Sequence, residues 1–161
     1  MMMDSRTDQG NTTGYISDLA ECSGLELVAG LADGSIRPPS MKGTLPFTLL
    51  TPEEGKVGLR ANPEPRFCNL TNTIHGGWIM TMLDTAMSLA AQTTLASGEI
   101  CPSHETSVKF VRPISVDSGI MHVTGKVVSR GRTVITLEGR IEDAAGRLHA
   151  HGTSTCLIVR R

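Results

Sequence analysis

Residues 76–94 have the sequence GGWIMTMLDTAMSLAAQTT, in which nearly every position is apolar or small. Apolar side chains would lie on almost all sides of a helix formed by this stretch, so the sequence predicts a long helix buried over most of its surface. Its only charged residue is Asp84, near the middle. A buried carboxylate is unfavourable unless it is paired or hydrated. Asp84 is therefore a candidate functional residue, and the alternative is an ion pair or a cap to a neighbouring loop.

The segment before this helix contains a second, shorter helical pattern. Apolar residues recur at helical spacing from Leu25 to Ala32, and Gly34 ends the pattern. The predicted elements that follow are an extended linker at Pro38-Pro39, strands at residues 44–50 and 56–61 joined by a turn at residues 52–55, and a loop at residues 62–73.

The segment after the long helix is rich in Val, Ile and Thr, which favour strands. The predicted strands are residues 103–112, 120–129, 133–142 and 148–159. Short turns at residues 129–131 and 143–146 would join the last three strands, and such short links predict an antiparallel meander. The order is two strands, one buried helix and four strands. A sheet curled around the helix is the economical way to bury it, which indicates an α+β fold.

The composition is that of a soluble protein without a strong charge bias. Fifteen Lys and Arg residues balance sixteen Asp and Glu residues, and only five residues are aromatic. These numbers disfavour nucleic acid and anionic membranes as partners. We expect a tail at residues 1–21 without a signal peptide, a single domain at residues 22–161, four cysteines as free thiols and a cytoplasmic location.

The residues that lead into the long helix can bind a substrate carbonyl. The sequence NLTNTIHGGW at residues 69–78 contains Gly76 and Gly77, which let a ligand approach the first-turn amides. Those amides lie at the positive end of the helix dipole and could stabilise an oxyanion. The alternative is that the two glycines only permit a tight corner between loop and helix.

Gly76 and Asp84 cannot act on one bond from the same chain. They lie eight residues apart, and a helix rises about 12 Å over that distance, whereas reacting groups must approach to about 3 Å. If both act on one bond, Asp84 must come from another subunit. Two long helices packed antiparallel about a two-fold axis would create two equivalent sites.

Taken together, these residues resemble the PaaI-type hotdog thioesterases. The resemblance rests on Asn69, the triplet His75-Gly76-Gly77, Asp84, and the segment Phe110-Val111-Arg112-Pro113, and it extends over about residues 24–159. It implies a hotdog fold, in which a curved antiparallel sheet wraps around one long helix, with a short helix before the first strand. It also implies acyl-CoA thioester substrates, no cofactor, and a homodimer that pairs into a homotetramer.

The resemblance also assigns roles to individual residues. Asp84 is similar to the catalytic carboxylate that activates water or attacks the thioester, and Gly76 to the residue whose amide polarises the carbonyl. Asn69 and His75 resemble side chains that position the carbonyl or the sulfur.

Ser103 resembles the hydroxyl that orients the acid or its water, although His104, Glu105 or Thr106 could take that place. Substrate contacts are implied for Gly77 at the helix start. They are also implied for Arg130, Gly131 and Arg132 near the CoA pyrophosphate or adenosine, where the alternative is a solvated basic hairpin.

Other functions remain compatible with the sequence. A hotdog hydratase or dehydratase would also use a histidine and a carboxylate across a dimer, and a non-catalytic module could bind acyl-CoA as a sensor. His149 and His151 lie two residues apart on a predicted strand, but no third ligand is in local register, so no metal site is predicted.

Overall fold

The computed structural model describes residues 21–160, so the tail predicted at residues 1–21 lies almost wholly outside the described residues. The helices are α1 (Gly24–Asp33), α2 (Met41–Thr44) and α3 (Gly76–Gln92). The strands are β1 (Phe47–Leu49), β2 (Lys56–Ala61), β3 (Glu99–Ile100), β4 (Ser103–Phe110), β5 (Met121–Arg130), β6 (Val134–Glu142), β7 (Leu148–Leu157) and β8 (Val159–Arg160). Short 3-10 turns occupy Pro65–Phe67 and Val116–Ser118.

Helix α3 confirms the buried helix predicted from the sequence. Its buried side chains are Trp78, Ile79, Met82, Leu83, Ala86, Met87, Ala90 and Ala91. A partly exposed strip, which includes Met80, Asp84 and Leu89, remains along one side. Among residues 21–160, no helix is both long and apolar enough to span a membrane.

Six strands form one antiparallel sheet in the order β1-β2-β5-β6-β7-β4. The meander predicted for the last three long strands is confirmed, because β5 pairs with β6 and β6 with β7. The sheet packs against α3 through its central strands and forms one core with it. The predicted α+β architecture is therefore confirmed, and β1 and β4 are the two edges on either side of the helix.

A row of three glycines lets α3 approach the sheet closely. Gly125 pairs with Gly139, and Gly139 pairs with Gly152, so the row crosses three adjacent strands. A Cβ atom at Gly125 would clash with the backbone of Ala86 and Met87 in α3. At the other two glycines it would meet side chains of the same helix. The absence of side chains there sets the distance between helix and sheet.

The predicted N-terminal helix is confirmed as α1, and both of its ends follow from its sequence. Ser23 and Glu26 form a reciprocal capping box at the start, and Gly34 adopts a left-handed conformation, with φ of 84°, at the end. The Gly24 amide donates to the Leu95 carbonyl over 3.0 Å, which attaches α1 to the segment after α3.

Two local features differ from the sequence prediction. The strand predicted at residues 44–50 is shorter, because residues up to Thr44 form α2 and Pro46 cannot donate a ladder hydrogen bond. The pairing of β3 with β8 was not predicted, since two-residue strands carry no recognisable period. It is reinforced by an ion pair between Glu99 and Arg160, whose atoms lie 3.2 Å apart.

Candidate active site

The loop before α3 is shaped by Asn69. Its side-chain oxygen accepts hydrogen bonds from the Thr71 and Thr73 amides over 2.9 and 3.2 Å, and its side-chain nitrogen lies 3.0 Å from the Thr73 hydroxyl. Within this turn Asn72 has a positive φ of 60°, a conformation that asparagine tolerates better than most residues. The side chain of Asn69 thus closes the turn that delivers the chain to the start of α3.

At the start of α3 the two glycine amides differ. The Gly77 amide donates to Nδ1 of His75, the N-cap residue, over 3.0 Å. This bond requires an unprotonated Nδ1. The Gly76 amide makes no hydrogen bond within residues 21–160. Of the two, Gly76 therefore has the amide that is free to bind a ligand.

Gly76 lines a cavity of about 430 Å³, which we call the amide cavity. It is lined by Asn69, Thr73, Ile74, Gly76, Ile79, Phe110, Val111, Arg112, Pro113 and Ile114. The Phe110 ring packs over Gly76, since a Cβ atom there would lie 3.1 Å from the ring. Arg112 donates to the Leu148 carbonyl over 2.7 Å. Asn69 and Gly76 therefore share one cavity.

Asp84 lies on the partly exposed strip of α3, where two hydroxyl groups hold one of its oxygens. Ser103 and Thr106 donate to Asp84 Oδ1 over 2.9 and 3.1 Å. Ser154 lies 3.0 Å from the Thr106 hydroxyl and extends the chain of hydroxyls. The other oxygen, Oδ2, makes no hydrogen bond to any residue from 21 to 160. The carboxylate is thus oriented and keeps one oxygen free to accept a proton or attack an electrophile.

A β-bulge brings Ser103 and Thr106 to the same carboxylate. In a regular strand, residues three apart point to opposite faces. The pairing of β4 with β7 shifts between Ser103 and Glu105, so His104 is the extra residue of a bulge. The structure therefore joins the predicted hydroxyl and one of its alternatives at Asp84, a pairing that strand alternation could not indicate.

The two halves of the candidate site lie apart within one chain. Asp84 is absent from the lining of the amide cavity, which contains Asn69 and Gly76. The eight-residue separation along α3 is preserved, so the expected rise of about 12 Å applies. The structure brings Asp84 together with Ser103, and Asn69 together with Gly76, but keeps these two groups separate.

The basic hairpin that contains Arg130, Gly131 and Arg132 does not line the amide cavity. Arg130 donates to the Thr94 carbonyl over 3.2 Å and to the carbonyl of Gly131 over 3.2 Å. Its guanidinium also lies 3.6 Å from the Glu99 carboxylate. Arg132 is exposed. Arg130 therefore supports the end of α3, whereas Arg132 has no hydrogen bond or ion pair within residues 21–160.

Two thiols are buried behind Ser103. The four cysteines are all free, and Cys156 is the strand partner of Ser103. The hydrogen bond with Cys101 lowers the pKa of Cys156 to about 7 although burial opposes the shift, and the same bond raises the pKa of Cys101. Both thiols are buried, and neither is available as a surface nucleophile.

His149 has a structural environment. It is buried, and its Nδ1 lies 3.0 Å from the Pro113 carbonyl oxygen. Its Nε2 lies 3.4 Å from the Asp143 carboxylate. Asp143 also accepts hydrogen bonds from the Arg147 amide and side chain, over 2.9 and 2.7 Å. These contacts fix the turn between β6 and β7 next to the end of the amide cavity.

Comparison by sequence relates the chain to enzymes that cleave esters and thioesters. Residues 71–150 match the family model described as Thioesterase superfamily. A Saccharolobus solfataricus protein named as an esterase is 30% identical over 108 residues, which are 67% of this chain and 75% of that protein. The acyl-CoA thioester hydrolase YciA of Salmonella typhimurium is 27% identical over 84 residues, which are 52% of this chain and 62% of that protein.

Comparison by structure identifies the fold. A phenylacetic acid degradation-related protein of Ralstonia eutropha superimposes with a TM-score of 0.74 at 24% identity, covering 81% of this chain and 98% of that one. The Escherichia coli PaaI protein gives 0.73 at 17% identity, with coverages of 84% and 96%. A Streptococcus mutans protein solved with acetyl-CoA gives 0.65 at 21% identity, with coverages of 71% and 90%. With these relatives and this family match, the chain belongs to the Thioesterase superfamily and is a thioester hydrolase with a hotdog fold.

Proposed function

We propose that this chain hydrolyses acyl-CoA thioesters, with Asp84 of one subunit and the Gly76 amide of another acting on the same bond. The observation that carries the proposal is the hydrogen bonding of the Asp84 carboxylate. Ser103 and Thr106 hold Oδ1, while Oδ2 is left without a hydrogen bond among residues 21–160. The names of two relatives, an acyl-CoA thioester hydrolase and a protein bound to acetyl-CoA, support CoA esters as the substrate class.

Asp84 supplies the oxygen that begins the reaction. As a general base, Oδ2 takes a proton from water while the water oxygen forms a bond to the thioester carbon. As a nucleophile, Oδ2 bonds to that carbon itself, and water then cleaves the resulting anhydride. In both cases the carbon–sulfur bond breaks and CoA leaves with a proton. The two hydroxyls on Oδ1 orient the carboxylate for either step.

The Gly76 amide stabilises the charge that develops on the carbonyl oxygen. It lies at the N-terminus of a 17-residue helix, where the helix dipole adds a favourable field. The open cavity beside it gives the substrate access. Asn69 and His75 act as positioning residues, because Asn69 closes the preceding turn and His75 holds the Gly77 amide.

If both groups act on one bond, the distance between them along α3 requires a second subunit. Strand β4 has no partner on its outer edge among residues 21–160, and it lies next to Asp84. The adjacent strip of α3 is partly exposed. We propose that a second copy covers this side, with its α3 antiparallel, and that two such dimers form the tetramer. Each Asp84 would then meet the partner's Gly76.

The CoA end of the substrate would be bound near the basic hairpin. Arg130 already contacts Glu99 and the Thr94 carbonyl. Arg132 is exposed and is the better candidate for the negatively charged pyrophosphate. The catalytic domain proposed for this reaction is residues 22–161.

The test is thiol release from a panel of acyl-CoA esters by the wild type and Asp84→Asn. This change keeps the size of the side chain but removes the base and nucleophile, so we expect turnover to fall by about 10²- to 10⁴-fold. Asp117→Asn is the matched control, since Asp117 is exposed on a short turn outside both parts of the site. Near-normal turnover by Asp84→Asn would refute the assignment.

A second experiment distinguishes thioester hydrolysis from the addition of water to the acyl chain. Crotonyl-CoA has a double bond next to the thioester, so a hydratase would consume it without releasing thiol. Hydrolysis predicts thiol release in proportion to substrate consumed. Binding of acyl-CoA without any reaction would instead indicate a non-catalytic module.

A further inference from the structure

A small apolar pocket lies beside α3, on the side of the helix that faces β1. We call it the linker pocket, because Pro38 and Pro39 of the linker between α1 and α2 close one of its sides, together with Lys42 of α2. Its other walls come from α1, β1 and α3: they are Leu31, Phe47, Leu49, Thr85 and Leu89. Its volume is about 80 Å³.

The linker pocket is close to Asp84 along the exposed strip of α3. Thr85 follows Asp84 directly, and Leu89 lies five residues after Asp84, a rise of about 7.5 Å. Asp84, Thr85, Ser88 and Leu89 are all only partly buried, so the strip between the carboxylate and the pocket is accessible from the side that the proposed second copy would face. An acyl group whose carbonyl carbon lies at Asp84 would run along this strip, between the two proposed subunits, to enter the pocket.

We propose that the linker pocket binds the end of the substrate's acyl group and selects a short aliphatic chain over an aromatic ring. This inference rests on the thioester hydrolysis proposed above. An apolar cavity of about 150 Å³ accommodates benzene, and a water molecule occupies about 30 Å³ of liquid. A volume of about 80 Å³ therefore has room for a few methylene groups and is too small for a phenyl ring.

The chemistry of the walls favours an apolar acyl group over a polar or charged one. Leucine, proline and phenylalanine side chains form most of the lining. The Lys42 ammonium lies 5.6 Å from the centre of the Phe47 ring, so an aromatic face already interacts with this charge. A chain without polar atoms gains from burial here, whereas a hydroxyl or carboxylate would lose hydration.

The test uses the full chain and the variant Leu89→Phe, which enlarges a partly exposed pocket residue. Thiol release is measured with acetyl-, hexanoyl-, palmitoyl-, glutaryl- and phenylacetyl-CoA. We expect hexanoyl-CoA to have the highest kcat/KM of this panel in the wild type. Leu89→Phe should lower kcat/KM for hexanoyl-CoA at least about tenfold more than kcat/KM for acetyl-CoA, which is too short to reach the pocket.

Val128→Phe is the matched control, because Val128 is exposed on β5 and lines neither cavity. It should leave the whole acyl-chain profile unchanged. A wild-type preference for phenylacetyl- or glutaryl-CoA, or an unchanged profile in Leu89→Phe, overturns the pocket assignment. Thiol release would still support the thioesterase function in either case.

If none of the acyl-CoA esters releases thiol, binding of S-hexyl-CoA tests the pocket independently of hydrolysis. S-hexyl-CoA is a thioether that cannot be hydrolysed. Calorimetry should give tighter binding of S-hexyl-CoA than of free CoA to the wild type, with the difference lost in Leu89→Phe. That result without hydrolysis would support the pocket and refute the hydrolytic proposal. Equal binding of the two ligands by the wild type would refute the pocket.

Discussion

Two residues of α3 have the properties that the proposed chemistry needs, one through an unpaired backbone group and the other through a hydrogen-bonded side chain. Gly76 contributes a backbone N–H that no acceptor within residues 21–160 occupies. Asp84 contributes a side chain whose orientation is set by hydrogen bonds from Ser103 and Thr106. The Gly76 N–H is available because the first residue of a helix has no hydrogen-bond acceptor within that helix. The Asp84 carboxylate is oriented because its neighbours bind Oδ1 and leave Oδ2 without a hydrogen bond among residues 21–160.

The role of the Gly76 amide can be tested by a substitution that removes its N–H. Gly76 is the first residue of α3, where proline is well tolerated, and His75 has the extended backbone that a following proline requires. Gly76→Pro should reduce kcat by about 10²- to 10³-fold, the loss typical of one oxyanion donor. Gly76→Ala adds the same Cβ atom beside Phe110 but keeps the N–H. Equal losses in both variants, measured by thiol release, would indicate a steric effect.

At the level of the elements, glycines control how closely α3 approaches the sheet. The row of Gly125, Gly139 and Gly152 replaces the side-chain layer that would otherwise separate helix and strands. This close packing holds α3, and with it Asp84, at a defined height above the strands. The turn between β6 and β7 is fixed differently, by polar contacts to Asp143.

Substitution of Gly125 should destabilise the fold strongly. A Cβ atom there would clash with α3 backbone, which cannot move without displacing the helix. We expect Gly125→Ala to lower the free energy of unfolding by about 3 kcal/mol or more, as for a severe overpacking change. Gly139→Ala should have a smaller effect, since side-chain atoms of Leu83 and Met87 can yield. Urea unfolding measures both, and equal stability of the two variants would contradict this reasoning.

The Asp143 turn predicts a pH dependence of stability. Hydrogen bonds from the Arg147 amide, with further ones from its side chain, His149 and the Ala145 amide, hold the pKa of Asp143 well below its usual range. The unfolded chain therefore binds this proton more readily. Its contribution to stability is complete above the ordinary aspartate pKa, about 3.9, and is lost as the pH falls below that value.

Asp143→Asn should remove this dependence. The wild type should lose melting temperature more steeply than the variant between pH 5 and the acid limit of the measurement, about pH 2. At pH 7 the variant should be less stable than the wild type. Parallel melting curves at all pH values would show that Asp143 makes no such contribution.

For the whole molecule, the arrangement of the site makes assembly part of the proposed mechanism. Asp84 and the amide cavity around Gly76 are separate features of one chain. The open edge of β4 and the exposed strip of α3 lie on the same side as Asp84. One chain alone therefore offers two half-sites, and a symmetric dimer would complete two sites.

Complementation between two inactive variants tests this sharing. A mixed dimer of Asp84→Asn and Gly76→Pro would contain one site with both groups intact. Random mixing should restore about one quarter of the wild-type activity per chain, since half of the dimers are mixed and each has one working site. Differently tagged chains purified together supply the mixed species, and their inactivity would refute a shared site.

The type and approximate position of the helices and strands could be predicted from the sequence. The apolar stretch at residues 76–94 predicted α3, the apolar pattern at residues 25–32 with Gly34 after it predicted α1, and short turns predicted the meander. These features are local because hydrogen bonding, capping and side-chain period depend on residues close in the chain. The spacing of Gly76 and Asp84 along a helix also predicted that the two groups stay apart.

The hydrogen bonds that orient Asp84 could be determined only from the tertiary structure. A regular strand would have separated Ser103 from Thr106, and only the bulge at His104 in the pairing of β4 with β7 places both hydroxyls on Oδ1. The linker pocket likewise combines residues from α1, β1, α3 and a linker, which are distant in sequence. Local periodicity cannot encode such arrangements, because they arise from strand register and packing between segments far apart along the chain.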